Sequence, residues 1–93
     1  MSQNQTAPWL VTYDIANPRR LSRVFKHLKT QGVPMQYSVF SVDASATKMG
    51  VLMAVLSSLI DPKEDDVRAY RLPEHSWRAT LGDTLLPQDL WIA

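Results

Sequence analysis

Asp14 closes an apolar, β-branched and aromatic run, Trp9-Leu10-Val11-Thr12-Tyr13, and is followed at once by Ile15-Ala16-Asn17-Pro18-Arg19-Arg20. Asn17-Pro18 reads as an N-cap followed by proline at the first helical position. The spacing therefore sets a lone carboxylate at a strand's carboxyl end, just outside the amino terminus of a basic helix. Such a place suits a divalent cation held against a phosphate. Mg2+ takes one or two carboxylates and completes its shell with water and phosphate oxygens, so a single Asp14 per chain makes a weak site. Two chains meeting across a two-fold axis with their first-strand ends facing would supply the second copy. The plainer reading of Asp14 is a turn carboxylate that accepts backbone amides or offsets the helix dipole.

On a helix running from Pro18 to about Gln31, Arg19, Arg23 and Lys26 project within an arc of roughly 60°, with Arg20 and His27 flanking them. They lie opposite the stripe Leu21, Val24, Phe25 and Leu28, and their face contains no Asp or Glu. A merely solvated helix usually mixes charge signs to gain i,i+4 pairs, so a solvated face and a phosphate-binding face stand side by side as readings. In a hydrolytic mechanism Asp14 is the catalytic and metal-holding group, and Arg19, Arg20 and Arg23 neutralise the phosphate. Tyr13, Tyr37 and Phe40 read as core or interface residues, or as platforms for stacking bases if exposed. Ser38 has a hydrogen-bonding role near the carboxylate. His27 and His75 lack metal-ligand spacing, and Gly32, Gly50 and Gly82 form no phosphate loop.

These residues must be positioned by a small scaffold. The 93 residues make one domain, and they include no cysteine that could add a disulfide or a thiolate metal site. A domain of this size buries only roughly 60 to 65% of its unfolded surface, so a homodimer is the expected source of further buried area. The net charge of +1 is uneven: residues 1–50 hold six Lys/Arg against two Asp/Glu, and residues 51–93 hold four against seven. The basic half is where a polyanion would dock. Residues 1–8 read as a mobile tail with no signal-peptide character. No apolar stretch approaches the roughly 20 residues a bilayer requires, so the expectation is a cytoplasmic protein without membrane contact.

The first strand is expected over about Trp9 to Tyr13 and the first helix over Pro18 to about Gln31, with Gly32 ending it in the left-handed conformation. Val33 to Asp43 is extended, as one kinked strand or as a tight hairpin. Ser45 caps a second helix through Leu59, nearly apolar all round, which Asp61-Pro62 ends. Lys63-Glu64-Asp65-Asp66 reads as a solvated acidic turn and Val67 to Leu72 as another strand. Thr80 to Leu86 and Asp89 to Ile92 are candidate short extended pieces. The order gives an α+β fold, a ferredoxin-like βαββαβ sandwich with both helices on one face of an antiparallel sheet and an extra C-terminal strand. It occupies residues 9–72, and residues 73–93 form an extension.

In order and spacing, four segments resemble the small CRISPR-associated adaptation family known as Cas two. They are Tyr13-Asp14-Ile15 after a short strand, the arginine-containing helix, Gln36-Tyr37-Ser38-Val39-Phe40, and Ile60 to Leu72. The resemblance spans about Trp9 to Leu72. It implies a ferredoxin-like homodimer whose sheets pack face to face, with the C-terminal strand crossing to the partner's sheet. It also implies that Asp14 is the metal-binding carboxylate, with Tyr13, Ser38 and Phe40 nearby. Mg2+-dependent endonuclease activity on RNA or double-stranded DNA follows from it, as does a role bridging two copies of the CRISPR integrase during spacer acquisition. Two alternatives are a toxin-like ribonuclease resembling the virulence-associated protein D family and a DNA-binding scaffold without catalysis.

Overall fold

The computed structural model describes residues 5–73 and 90–92. Strand β1 (Ala7–Asp14) starts two residues before the expected position, with Ala7 already buried. Helix α1 (Pro18–Gln31) has the expected bounds, because Asn17 caps it by accepting from the Arg19 and Arg20 amides and Pro18 has no amide to satisfy. A hairpin follows, β2 (Val33–Gln36) and β3 (Val39–Ala44), then α2 (Ala46–Leu59), capped by Ser45 through the Lys48 amide. Strand β4 (Asp66–Arg71) and the short β5 (Leu90–Ile92) complete the described chain.

The sheet runs in the order β2-β3-β1-β4-β5, and every neighbouring pair is antiparallel. Its first four strands and two helices form the expected ferredoxin-like βαββαβ arrangement. β5 pairs with β4 of the same chain, from Arg68 opposite Ile92 to Tyr70 opposite Leu90. The extended piece expected at Thr80 to Leu86 lies outside the described residues.

Strand alternation decides what each face carries. Trp9, Val11 and Tyr13 of β1 join Phe40, Val42 and Ala44 of β3 and Val67 and Ala69 of β4 in one buried cluster. Val24 and Leu28 of α1 and Met49, Leu52, Met53 and Leu56 of α2 close it from the helix side. The other parity of β1, Leu10, Thr12 and Asp14, stands on the opposite face. There Thr12 lies between Val39 and Arg68, and Leu10 between Ser41 and Tyr70. Among the described residues no helix packs on that face.

One open alternative resolves and two expectations change. The Val33–Asp43 stretch is a hairpin with a two-residue turn, Tyr37-Ser38, in which Ser38 takes φ +63°. A left-handed serine costs about 1 to 2 kcal/mol, and neither position of this turn carries the glycine or asparagine that would avoid that cost. Gly32 does not end α1 in the left-handed region: its φ of −162° is extended. Its smallness serves a close approach instead, since a Cβ there would meet the Ser41 carbonyl oxygen and, at 2.7 Å, Val42 Cγ2. The acidic turn is only partly solvated, because Asp65 is buried.

Candidate nucleic-acid and metal site

Asp14 is the last residue of β1, and its carboxylate is exposed on the face that the helices leave open. Among the described residues it makes no side-chain hydrogen bond or ion pair. Its register partner on β4 is a second carboxylate, Asp66, which the sequence reading left in a solvated turn. Asp66 in turn accepts from Arg68 Nε at 2.8 Å. The Arg68 guanidinium is held above its ordinary value by hydrogen bonding to Tyr70 and to Asp66.

The supporting residues separate. Tyr13 lies on the helix side, and its amide donates to the Ser38 carbonyl at 3.2 Å, tying the strained turn to the residue before Asp14. Burial, with Tyr37 adding to it, pushes the Tyr13 phenol up, so it stays neutral at physiological pH. Phe40 is fully buried beneath Tyr13 and Phe25, with ring centroids 6.1 and 5.5 Å away. It supports the site through packing only. Tyr37 is 93% exposed and rims a cavity of about 170 Å³ between α1 and the hairpin, lined also by Tyr13, Phe25, Gln36 and Ser38. This open ring is the one suited to stacking.

The basic residues divide in the same way. Arg19, Arg23 and Lys26 are exposed along α1, with no acidic partner among the described residues. Arg20, grouped with them by spacing, is committed elsewhere. Its Nε donates to Asp65 Oδ2 at 2.6 Å, and its Nη2 reaches Asp65 Oδ1 and Glu64 Oε1, each at 3.2 Å. The Asp65 side chain is fully buried and also accepts the Ala16 and Asp61 amides, at 2.9 and 2.8 Å. Arg20 foremost, and then those amides, outweigh burial and hold the Asp65 carboxyl well below the usual carboxylate range. The sequence gives no local sign of this pair, whose members lie 45 residues apart.

The donor set suits a hard cation. Asp14 and Asp66 offer carboxylate oxygens on one face, while the described residues contain no group of three His, Cys, Asp or Glu placed to hold a metal ion together. One chain thus fits a largely hydrated ion that keeps positions for water and phosphate. α1 begins four residues after Asp14, and its first turn carries two arginines and no acid. Of those two, Arg20 is neutralised by Asp65 and Glu64, so exposed Arg19 and the helix amino terminus are what this end offers an anion.

Comparisons with known proteins give the family. The chain is 33% identical over 90 residues to the CRISPR-associated endoribonuclease Cas2 1 of Nitrosomonas europaea, covering 97% of this chain and 86% of that one. It is 41% identical over 75 residues to the CRISPR-associated endoribonuclease Cas2 2 of Thermodesulfovibrio yellowstonii, covering 81% and 82%. The crystal structure of Streptococcus pyogenes Cas2 superposes with a TM-score of 0.70 at 31% identity, covering 85% of this chain and 99% of that one. The model of the family described as CRISPR associated protein Cas2 matches residues 8–80, and the chain belongs to that family.

Proposed function

We propose that this chain is the homodimeric, nucleic-acid-binding subunit of CRISPR adaptation in the cytoplasm, and that it cleaves phosphodiesters of RNA or DNA with Mg2+ held on Asp14. The observation that carries this reading is an exposed, unpaired Asp14 four residues before a helix whose exposed Arg19, Arg23 and Lys26 have no acidic partner among the described residues. Two relatives named as endoribonucleases support the nuclease part.

Asp14 holds the cation, with Asp66 across the ladder as the nearest further carboxylate. When bound, the ion supplies Lewis acidity and a water of lowered pKa. Arg19, Arg23 and Lys26 offset the phosphate charge, and Arg20, paired with Asp65, sets the turn between strand and helix. The sheet face that carries no helix among the described residues, with its Thr12/Val39/Arg68 and Leu10/Ser41/Tyr70 rows, is the surface for the second copy. Packing there brings two Asp14 residues toward one cleft. Residues 73–93 cross to the partner in this reading, exchanging the β4–β5 pairing within one chain for the same pairing between chains, which is a low-cost route to a dimer.

The test compares wild type with Asp14→Asn, purified free of contaminating nuclease, on single-stranded RNA and double-stranded DNA with Mg2+ or a chelator. Asp14→Asn is expected to remain dimeric and lose hydrolysis; full cleavage by that variant overturns the nuclease reading. A scaffold role beside the CRISPR integrase is favoured by Arg19, an arginine in the first turn of α1 with no acid to pair with among the described residues. In that role Asp14→Asn leaves spacer integration intact, while reversing Arg19 and Arg23 to Glu damages it. Unaltered DNA binding in the reversed variant counts against the scaffold.

A further inference from the structure

Nothing in the described structure restrains the Asp14 carboxylate directly, so its position is inherited from the backbone on either side. Upstream, the β1–β4 ladder and the Tyr13 amide fix the chain. Downstream, the first fixed point is the Ala16 amide, and its acceptor is the Asp65 carboxylate 49 residues later. The same carboxylate holds Arg20 in the first turn of α1 and the Asp61 amide in the loop entering β4. One buried group thus joins the turn after Asp14 to the residue immediately before Asp66.

We propose that Asp65, clamped by Arg20, is a positioning residue for the Asp14 carboxylate and its cation. This rests on the metal-nuclease reading above. A buried ion pair is weak support for stability, since desolvation consumes much of its Coulombic gain and an apolar pair of similar volume often does as well. What the pair supplies, and an apolar pair cannot, is direction. Four donors converge on two oxygens, leaving the carboxylate no freedom to rotate and the Ala16 peptide one orientation. No buried side-chain polar atom among the described residues is left without a partner. Groups that orient a metal-holding side chain typically contribute about 10- to 100-fold in metal affinity or activity when removed.

The experiment uses the full chain and the variant Asp65→Asn, whose carboxamide cannot accept all four donors. Mn2+ is titrated without substrate and read by NMR at the Asp14 carboxyl carbon, with hydrogen exchange of the Ala16 and Val11 amides in parallel. We expect a folded variant in which Ala16 exchanges faster while Val11 stays protected, and in which the Mn2+ half-saturation at Asp14 rises about 10-fold or more. With oligonucleotide substrate, kcat falls and KM stays within about twofold. An unchanged Mn2+ half-saturation in the folded variant overturns the proposal, even if its melting temperature falls. Should Asp65→Asn fail to fold, Arg20→Lys, which keeps the charge and loses the two-pronged contact, is judged by the same measurement: a weaker rise supports the clamp and no rise overturns it. A wild-type chain that binds Mn2+ at Asp14 but cleaves nothing sinks the nuclease reading alone, and one that binds no Mn2+ there overturns both.

Discussion

Asp14 and Asp66 stand opposite each other across the antiparallel ladder of β1 and β4, the last residue of one strand against the first of the other. Like charges in that register repel, and the cation proposed for Asp14 would offset that repulsion. Only part of the repulsion is relieved in the chain itself, by Arg68 on Asp66. In metal-free buffer, Asp14→Asn should therefore melt at the same temperature as wild type or up to about 5 °C higher. Added Mg2+ should raise the wild-type melting temperature and leave that of the variant unchanged. Calorimetry with and without Mg2+ measures both, and a variant that melts well below wild type contradicts the assignment of Asp14 to function over stability.

Arg19 and Arg23 should behave differently from Arg20, although the three lie within one and a half turns. Each phosphate contact adds about 0.9 to the slope of log affinity against log salt for a duplex, and about 0.7 for a single strand. The double substitution Arg19→Gln/Arg23→Gln should reduce that slope by roughly 1.4 to 1.8 and leave the fold intact. Arg20→Gln should barely change the slope and should lower stability, because it leaves Asp65 charged and buried. Fluorescence anisotropy over a salt series separates the two. Equal slope changes at all three positions would return Arg20 to the phosphate-binding set.

Acid should unfold this protein partly through Asp65. Its carboxyl is held well below the ordinary value, chiefly by Arg20, so the proton-free form is the one the fold stabilises. That contribution is complete above the unfolded carboxylate pKa of about 3.9, and it is lost as the pH falls from there toward the depressed folded value. The gap in urea midpoint between wild type and Asp65→Asn should thus be constant from about pH 5 to 8 and narrow below about pH 4. A gap that persists undiminished to pH 3 would assign the acid sensitivity to other carboxylates.

The parts of the fold visible in the sequence are those fixed by neighbours along the chain. Asn17, Pro18 and the Leu21/Val24/Leu28 spacing specify α1 locally, and Ser45 with Asp61-Pro62 brackets α2 in the same way. Asp14 was legible for this reason, as the acid where one pattern stops and another starts. The hairpin was legible only as one of two alternatives, because its turn is made by Tyr37 and a left-handed Ser38, without the glycine, asparagine or aspartate that marks a two-residue turn. Asp65 was hidden among three other charged residues, and its partner Arg20, 45 residues earlier, shared a helix side with arginines that have no such partner. Phe40 reads as a core or interface ring by residue type, and as a neighbour of the site only through the family resemblance. Alternation sends it to the core, where Tyr13 and Phe25 cover it.

Gly32 gives the sharpest test of how the site's neighbouring hairpin is seated on α1. With an extended backbone, alanine meets no conformational penalty there, so any loss must come from space. The added Cβ would press on the Ser41 carbonyl and on Val42 Cγ2, 2.7 Å away, both in β3, next to the buried Val42 side chain. Backbone cannot yield as a flexible side-chain tip can, and overpacking of this kind costs about 1 to 3 kcal/mol. Gly32→Ala should accordingly lower the urea midpoint with an unchanged m-value, and Asp14 should keep its Mn2+ affinity because Ser41 and Val42 pair with Leu10 and Trp9, toward the other end of β1 from Asp14. If stability is unaltered, the end of α1 has room to move away from β3, and the close approach is no constraint on the fold.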